Sequence, residues 1–137
     1  MPETDPAIPD SPLPDLRSVD SAAAALRTFF RIALAWHLTN EQQQKLLNVS
    51  RSTFFHWKSG RVRSGLESET LERLSYIFGI YSALQVLLPI PERADAWIAK
   101  PNTAPLFGGK SALDRMLGGQ VADLYVVREY LDAQRGG

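Results

Sequence analysis

This chain of 137 residues contains no cysteine, which rules out a disulfide framework and any thiolate metal site. Histidine is nearly as scarce. His37 and His56 stand at no recognised ligand spacing, so neither a metal nor another cofactor is expected. No run approaches the roughly 20 apolar residues of a membrane helix. The first residues are acidic and Pro-rich rather than signal-like, so the expectation is a cytoplasmic protein without a membrane partner. Strand-like alternation of any length is missing, as is an internal repeat, and an all-α fold of about seven helices is what remains. No Ser/His/Asp set or carboxylate pair stands out either. Nothing in the residues supports an enzyme.

Net charge is the last absence, and it disappears when the chain is divided. Residues 1–15 hold four acids (Glu3, Asp5, Asp10, Asp15) and no base. The remaining residues hold 15 bases against 11 acids, so the body of the chain is mildly basic. Five prolines within residues 1–17 predict an acidic arm without regular structure, either a plain tail or a strap for a basic surface.

The positive charge concentrates in the stretch TNEQQQKLLNVSRSTFFHWKSG, residues 39–60. Thr39 followed three residues later by Gln42 is a capping box and predicts a short helix over 40–47. Asn48 then suits the left-handed backbone of a tight turn, with Val49 packed beneath it. Ser50 is a good N-cap for a second helix over 51–59, which Gly60 ends. Two short helices across such a turn form a helix-turn-helix, whose second helix enters the DNA major groove. Between Gln42 and Leu66 stand Lys45, Arg51, Lys58, Arg61 and Arg63, with no acid. Such a one-signed patch is what phosphate neutralisation needs. The expected DNA contacts are these five cations together with Ser52, Thr53 and His56. Arg61 and Arg63 lie beyond the helix and so face phosphates rather than bases. The alternative is an ordinary helical hairpin with a solvated basic face.

Elsewhere the pattern is helical. Leu26, Phe29, Phe30, Ala33 and Trp36 recur at helical spacing within residues 18–36. Ser64 with Glu67 reads as a second capping box, opening a helix that carries Leu71, Leu74, Ile77 and Phe78. Gly79 ends or bends that helix, and a further one spans 81–88. Pro91 is placed as the first residue of the next, over 92–99. The motif GGKS at 108–111 invites a phosphate-loop reading, but Ala104 replaces the required Gly, Pro105 removes an N–H, and no strand precedes it. Gly108 and Gly109 read instead as a turn, with Ser111 capping a helix that has Asp114 at its third position. The last helix, over 121–133, puts Val121, Leu124, Tyr125, Arg128 and Leu131 on one stripe. Val126, Val127 and Tyr130 lie off it, an apolar excess that suits a protein interface.

The segments LLNVSRSTFFHWKSG, LERLSYIFGIYSAL, PERADAWIAKPNTAPLFGGKSALDRMLGG and ADLYVVREYLDAQRGG together resemble the Xre/ParS/MbcA-type antitoxins, especially those partnered with RES-domain toxins. The resemblance covers residues 20–137. It implies a helix-turn-helix DNA-binding domain over 18–65 and a toxin-binding and dimerisation domain over 66–137. It further implies a homodimer that binds operator DNA, represses its own operon and neutralises a RES-domain, NAD-depleting toxin in a bacterial cytoplasm. Two departures accompany it. Asn48 replaces the Gly usual at the turn, and Gln44 stands where a small Ala is usual, implying a wider helix crossing. On this reading Tyr125 and Tyr130 are anchors in the toxin pocket. Arg128 and Arg135 pair with acceptors there, and Asp132 meets a phosphate-binding base. A free-standing regulator whose second half only dimerises is the alternative.

Overall fold

A computed structural model of the chain describes residues 18–136. The arm expected over 1–17 lies outside the described residues. Among those described there are seven helices and no strand: α1 (Val19–Ala35), α2 (Asn40–Leu47), α3 (Arg51–Lys58), α4 (Ser68–Leu87), α5 (Pro91–Trp97), α6 (Ala112–Met116) and α7 (Val121–Gly136). The fold is all-α, a helix-turn-helix half packed with a C-terminal helical half.

Local chemistry fixes most helix starts. Ser18, Thr39, Ser50 and Ser111 each accept a hydrogen bond from a backbone N–H three residues on. The Thr39 and Ser111 backbone N–H groups donate in return to the Gln42 and Asp114 side chains, completing capping boxes. Pro91 occupies the first turn of α5, where a missing N–H costs nothing. Loop 101–111 closes through a single antiparallel bridge between Pro101 and Ser111, with Gly108 and Gly109 at φ 57° and 88°. Phe107 is buried beneath it, so the GGKS segment is a packed turn rather than a phosphate cradle.

Three expectations are corrected. Ser64 does not cap α4. The cap position is Glu67, without a side-chain bond, because Leu66 first inserts into the core and delays the helix. Nor does Gly79 end a helix, since the helix expected to run through Phe78 and the one expected over 81–88 are one, α4. The third correction is the phase of α7. Its buried residues are Leu124, Val127 and Leu131, whereas Tyr125 is 45% exposed. Val126 and Tyr130 pack partly buried against the core, so the apparent apolar excess is mostly used inside the molecule.

α4 is the spine. Leu74, Ile77, Ile80, Ala83 and Leu84 are buried along it, and it packs most extensively on α7 while touching α1, α2 and α5. One apolar cluster therefore runs from Leu26, Phe29 and Phe54, through α4, to Ile98, Met116 and Leu124. Each such side chain contributes roughly 1.5–3 kcal/mol by leaving water. The two halves are in this way one packed unit.

Polar bonds complete the joint. Arg73 is 3% exposed, and its Nε donates to Glu69 at 2.9 Å within the helix. Its two terminal nitrogens donate to the carbonyls of Leu46 in α2 (3.3 Å) and Gly119 before α7 (2.8 Å). Glu69 also accepts from Asn48 Nδ2 at 3.0 Å. Hydrogen bonds from Asn48 and Arg73, then the Arg73 charge, hold its carboxyl below the usual range.

On the opposite side of α4, Arg128 donates to Asp132 at 3.1 Å and reaches the Ser75 carbonyl at 3.4 Å. Its guanidinium lies directly against the bare Cα of Gly79, where a Cβ would overlap it. That close approach explains a glycine in mid-helix. Replacing Gly79 by Ala should gain roughly 0.8–1.0 kcal/mol of helix propensity in an Arg128→Ala background. With Arg128 present, displacement of the guanidinium should offset that gain. Denaturant unfolding of the two single variants and the double variant checks this, and equal effects of Gly79→Ala in both backgrounds would disprove the contact.

Candidate functional site

The helix-turn-helix is built around Asn48, which sits in the left-handed region at φ 54°. Gln44 donates to the Val49 carbonyl at 3.1 Å, so its bulk is used to secure the turn from inside. Phe54 is fully buried from α3 and meets Phe30 and Phe55 edge-on at 6.0 and 5.1 Å. These contacts orient α3, leaving its opposite side outward.

The expected DNA contacts separate into two groups. Arg51, Ser52, His56, Arg61 and Arg63 are exposed, as is Lys45 on α2. Arg51 lies over the Phe55 ring at 4.9 Å, which steadies a long side chain without neutralising it. Arg61 donates to Ser59 at 3.2 Å. The other two are drawn inward. Thr53 is half-buried and accepts from Ser50 at 3.0 Å, so its hydroxyl serves the helix cap. Lys58 is exposed, yet it donates to Asn40 at 3.0 Å and lies 5.7 Å from both the Phe30 and Phe54 rings. Among the described residues, the ion pairs are Glu69–Arg73, Arg115–Asp123 and Arg128–Asp132. None of them uses a cation of this set. Among the described residues, no carboxylate is ion-paired to these cations, a condition that suits phosphate binding.

Arg27 and Arg31 are further cations that the sequence pattern does not mark. Both are exposed on α1, and Arg31 bonds Thr28 at 3.3 Å. Their i,i+4 spacing is visible in the sequence, but they stand outside the central motif. The bond set linking Asn48, Glu69 and Arg73 is likewise absent from the expectations. An i,i+4 Glu–Arg pair signals a bridge along a helix surface, and nothing local indicates that this guanidinium turns inward.

The residues expected on the toxin-facing surface also divide. Tyr125 and Arg135 are exposed. Tyr125 meets Tyr76 edge-on at 5.7 Å, and Tyr76 donates to Glu72 at 3.2 Å. Burial first, then the Glu72 carboxylate, raises the Tyr76 phenol above its ordinary pKa. Tyr130 is not presented outward. It stacks on Trp97 (6.4 Å, 16°) and meets Phe107 edge-on at 5.2 Å, tying α7 to α5 and the 101–111 loop. Arg128 and Asp132 are half-buried and paired to each other.

Two family models match this chain. The antitoxin Xre-like helix-turn-helix domain covers residues 15–79. The antitoxin Xre/MbcA/ParS C-terminal toxin-binding domain covers residues 83–137. The two matches meet inside α4. The chain is also 50% identical over 135 residues to the uncharacterized protein y4oB of Sinorhizobium fredii, covering 98% of this chain and 99% of that protein.

The two tyrosines of α7 should respond differently to truncation. Tyr130→Ala should cost roughly 3 kcal/mol, because it opens a void among aromatic neighbours. Tyr125→Ala should cost about 1 kcal/mol or less, the worth of one exposed aromatic pair. Chemical denaturation of both variants distinguishes these roles.

Proposed function

The chain belongs to the Xre/MbcA/ParS antitoxins, and from that premise we propose that it neutralises a RES-domain, NAD-depleting toxin and represses its own operon. The observation that carries this reading is the division of its surface. A cationic helix-turn-helix face with no ion-paired acid among the described residues and the last helix of a toxin-binding domain are both packed on the central helix, α4. Such an arrangement lets one molecule address DNA and a protein at separate places.

Inhibition requires covering the pocket that admits the dinucleotide rather than any chemistry by the antitoxin. Tyr125 and Arg135 are the exposed groups on α7 suited to entering it. A flat aromatic ring supplies contact area at little entropic cost, and a guanidinium pairs with acceptors that otherwise meet substrate. Arg128, Tyr130 and Asp132 would then act from behind, holding α7 straight. Repression calls for a homodimer, since one recognition helix reads few base pairs and an operator with two-fold symmetry extends the readout. The apolar groove of about 220 Å³ lined by Ala25, Leu71, Leu74, Ser75 and Phe78 is available to that interface, away from α3. A free-standing regulator lacking a toxin partner is the competing reading, and the toxin-binding domain match weighs against it.

Co-expression and pull-down with the product of the adjacent gene is the direct test. Recovery of a small toxic enzyme is expected, and its absence would leave the plain regulator. On DNA, Arg51→Ala should weaken operator binding by roughly 1–3 kcal/mol if the contact is to a base. Arg61→Ala and Arg63→Ala should each lower the salt slope by about one, as phosphate contacts do. Filter-binding titrations across salt concentration read both effects, and unaltered affinity and slope would remove these residues from the interface.

Toxin neutralisation is best tested with surface substitutions. Deleting residues 129–137 would also remove the buried Leu131 and the stacked Tyr130. Tyr125→Ala combined with Arg135→Glu should instead abolish protection of toxin-expressing cells while leaving operator binding intact. Full protection by that double variant would refute the assigned surface.

A further inference from the structure

Exposed hydroxyls are common on this molecule, but most are engaged or held within helices. Thr39 and Ser50 cap α2 and α3, and Ser59 donates to the His56 carbonyl at 2.9 Å. Ser52 stands within α3, and Ser68, Ser75 and Ser82 stand within α4. Thr103 has no arginine near it in sequence. Ser64 differs from all of them. It is exposed in the irregular stretch between α3 and α4, and among the described residues its hydroxyl has no hydrogen-bond partner.

The surroundings of Ser64 suit a modifying enzyme. The chain bends there, and among the described residues no backbone–backbone hydrogen bond engages residues 62–66. Val62 packs partly buried against the core and Leu66 is buried, so the segment is pinned at both ends with Ser64 between them. Backbone of this kind can lie in an enzyme's cleft, where a helix keeps its main-chain groups to itself. Arg61 and Arg63 precede Ser64 by three residues and by one. Neither is ion-paired among the described residues, and Glu67 is the nearest acid in sequence. Charge patterns of this sort are what an acidic substrate groove selects. Ser64 also lines a hollow of about 330 Å³ together with Ser50, the cap of α3, and with Thr53 and Trp57 of α3. A group added to its oxygen therefore has room, and it lies beside the helix expected to enter DNA.

We propose that Ser64 is a phosphorylation site whose modification releases this chain from its operator. The inference rests on the phosphate contacts proposed above for Arg61 and Arg63 and adds their regulation. Ser64 Oγ attacks the γ-phosphorus of ATP, and the bond from that phosphorus to the β,γ-bridging oxygen breaks. ADP leaves, and the hydroxyl proton passes to the kinase's base. The product carries a charge of about −1.5 to −2 at neutral pH and three strong acceptor oxygens. Arg63 and Arg61 then pair with a phosphate of their own chain rather than with those of the duplex. Two such contacts have a salt slope of about −0.9 each, or roughly 60-fold in affinity between about 1 M and 0.1 M salt.

The test uses the full chain and a duplex carrying its own promoter. A purified serine/threonine kinase that prefers arginine ahead of its acceptor, supplied with ATP, should modify the folded protein at Ser64. Tandem mass spectrometry locates the phosphoryl group, and Ser64→Ala should abolish it. Modification elsewhere but not at Ser64 would overturn the site. The phosphorylated protein, and Ser64→Glu in its place, should bind the duplex roughly tenfold or more weakly at about 0.1 M salt, with a lower salt slope. Ser82→Glu places the same charge about 21 Å along α4 from Ser68, beyond a Debye length, and should bind normally. Equal weakening by Ser82→Glu would overturn the local effect. In an Arg61→Ala, Arg63→Ala background Ser64→Glu should add little, because its partners are gone. A natural slope in Ser64→Glu, with reduced slopes in the two arginine variants, would overturn the switch alone. Natural slopes in the arginine variants would instead overturn the contacts on which it rests.

Discussion

The burial of α4 on several sides is the constraint on which the rest of the structure depends. Its exposed Ser68, Glu72, Ser75, Ser82 and Val86 share one narrow face, and α1, α2, α5 and α7 pack around the rest. Its neighbours therefore decide where its polar residues go. Arg73 points inward and survives there because its donors meet a carboxylate and two carbonyls that lack helical partners. Leaving such a charge unpaired would cost about 3–5 kcal/mol, so the partners and the cation stand or fall together. Gly79 follows from the same enclosure, since Arg128 of α7 has to cross α4 at close range to reach the Ser75 carbonyl. A larger residue there would move the guanidinium away, whereas a helix break would serve nothing.

How far the sequence can be read divides along the same line. The capping boxes at Thr39 and Ser111, the left-handed Asn48 and the N-terminal Pro91 are all legible, because each depends on bonds within four residues. Ser64 with Glu67 has the same local pattern and fails as a cap. There the burial of Leu66, a tertiary demand, outweighs one hydrogen bond. Gly79 misleads for a related reason, since a mid-helix glycine and a helix terminator look identical without the arginine that lies over it. The phase of α7 is ambiguous because apolar residues occur at 121, 124, 125, 126, 127, 130 and 131. Two stripes fit those positions, and only the packing of α7 on α4, with Tyr130 against Trp97 and Phe107, selects Val127 over Tyr125 for the interior.

The candidate surfaces are legible as charge and less so as geometry. That the stretch after Gln42 carries cations without acids is a property of composition, and in the fold none of those cations is ion-paired among the described residues. Which of those cations project outward is set by packing. Lys58 rests near two aromatic rings and bonds Asn40, whereas Arg51 lies over a ring yet keeps its donors exposed. A lysine near aromatic faces contributes to holding α3 on α1 as well as to the electrostatic field, so its charge and its packing cannot be separated by one substitution.

Firm attachment makes α7 a structural helix and also suits it to the recognition role proposed for it. Leu124, Val127 and Leu131 fasten it to α4, and Tyr130 fastens it to Trp97 and Phe107. A helix held at so many points loses little further freedom on binding, so contacts made by its outward residues are not offset by an ordering cost. Tyr125 benefits most, because Tyr76 already limits its rotation from below. Tyr76 stays protonated and bonded to Glu72, which keeps that support neutral and fixed.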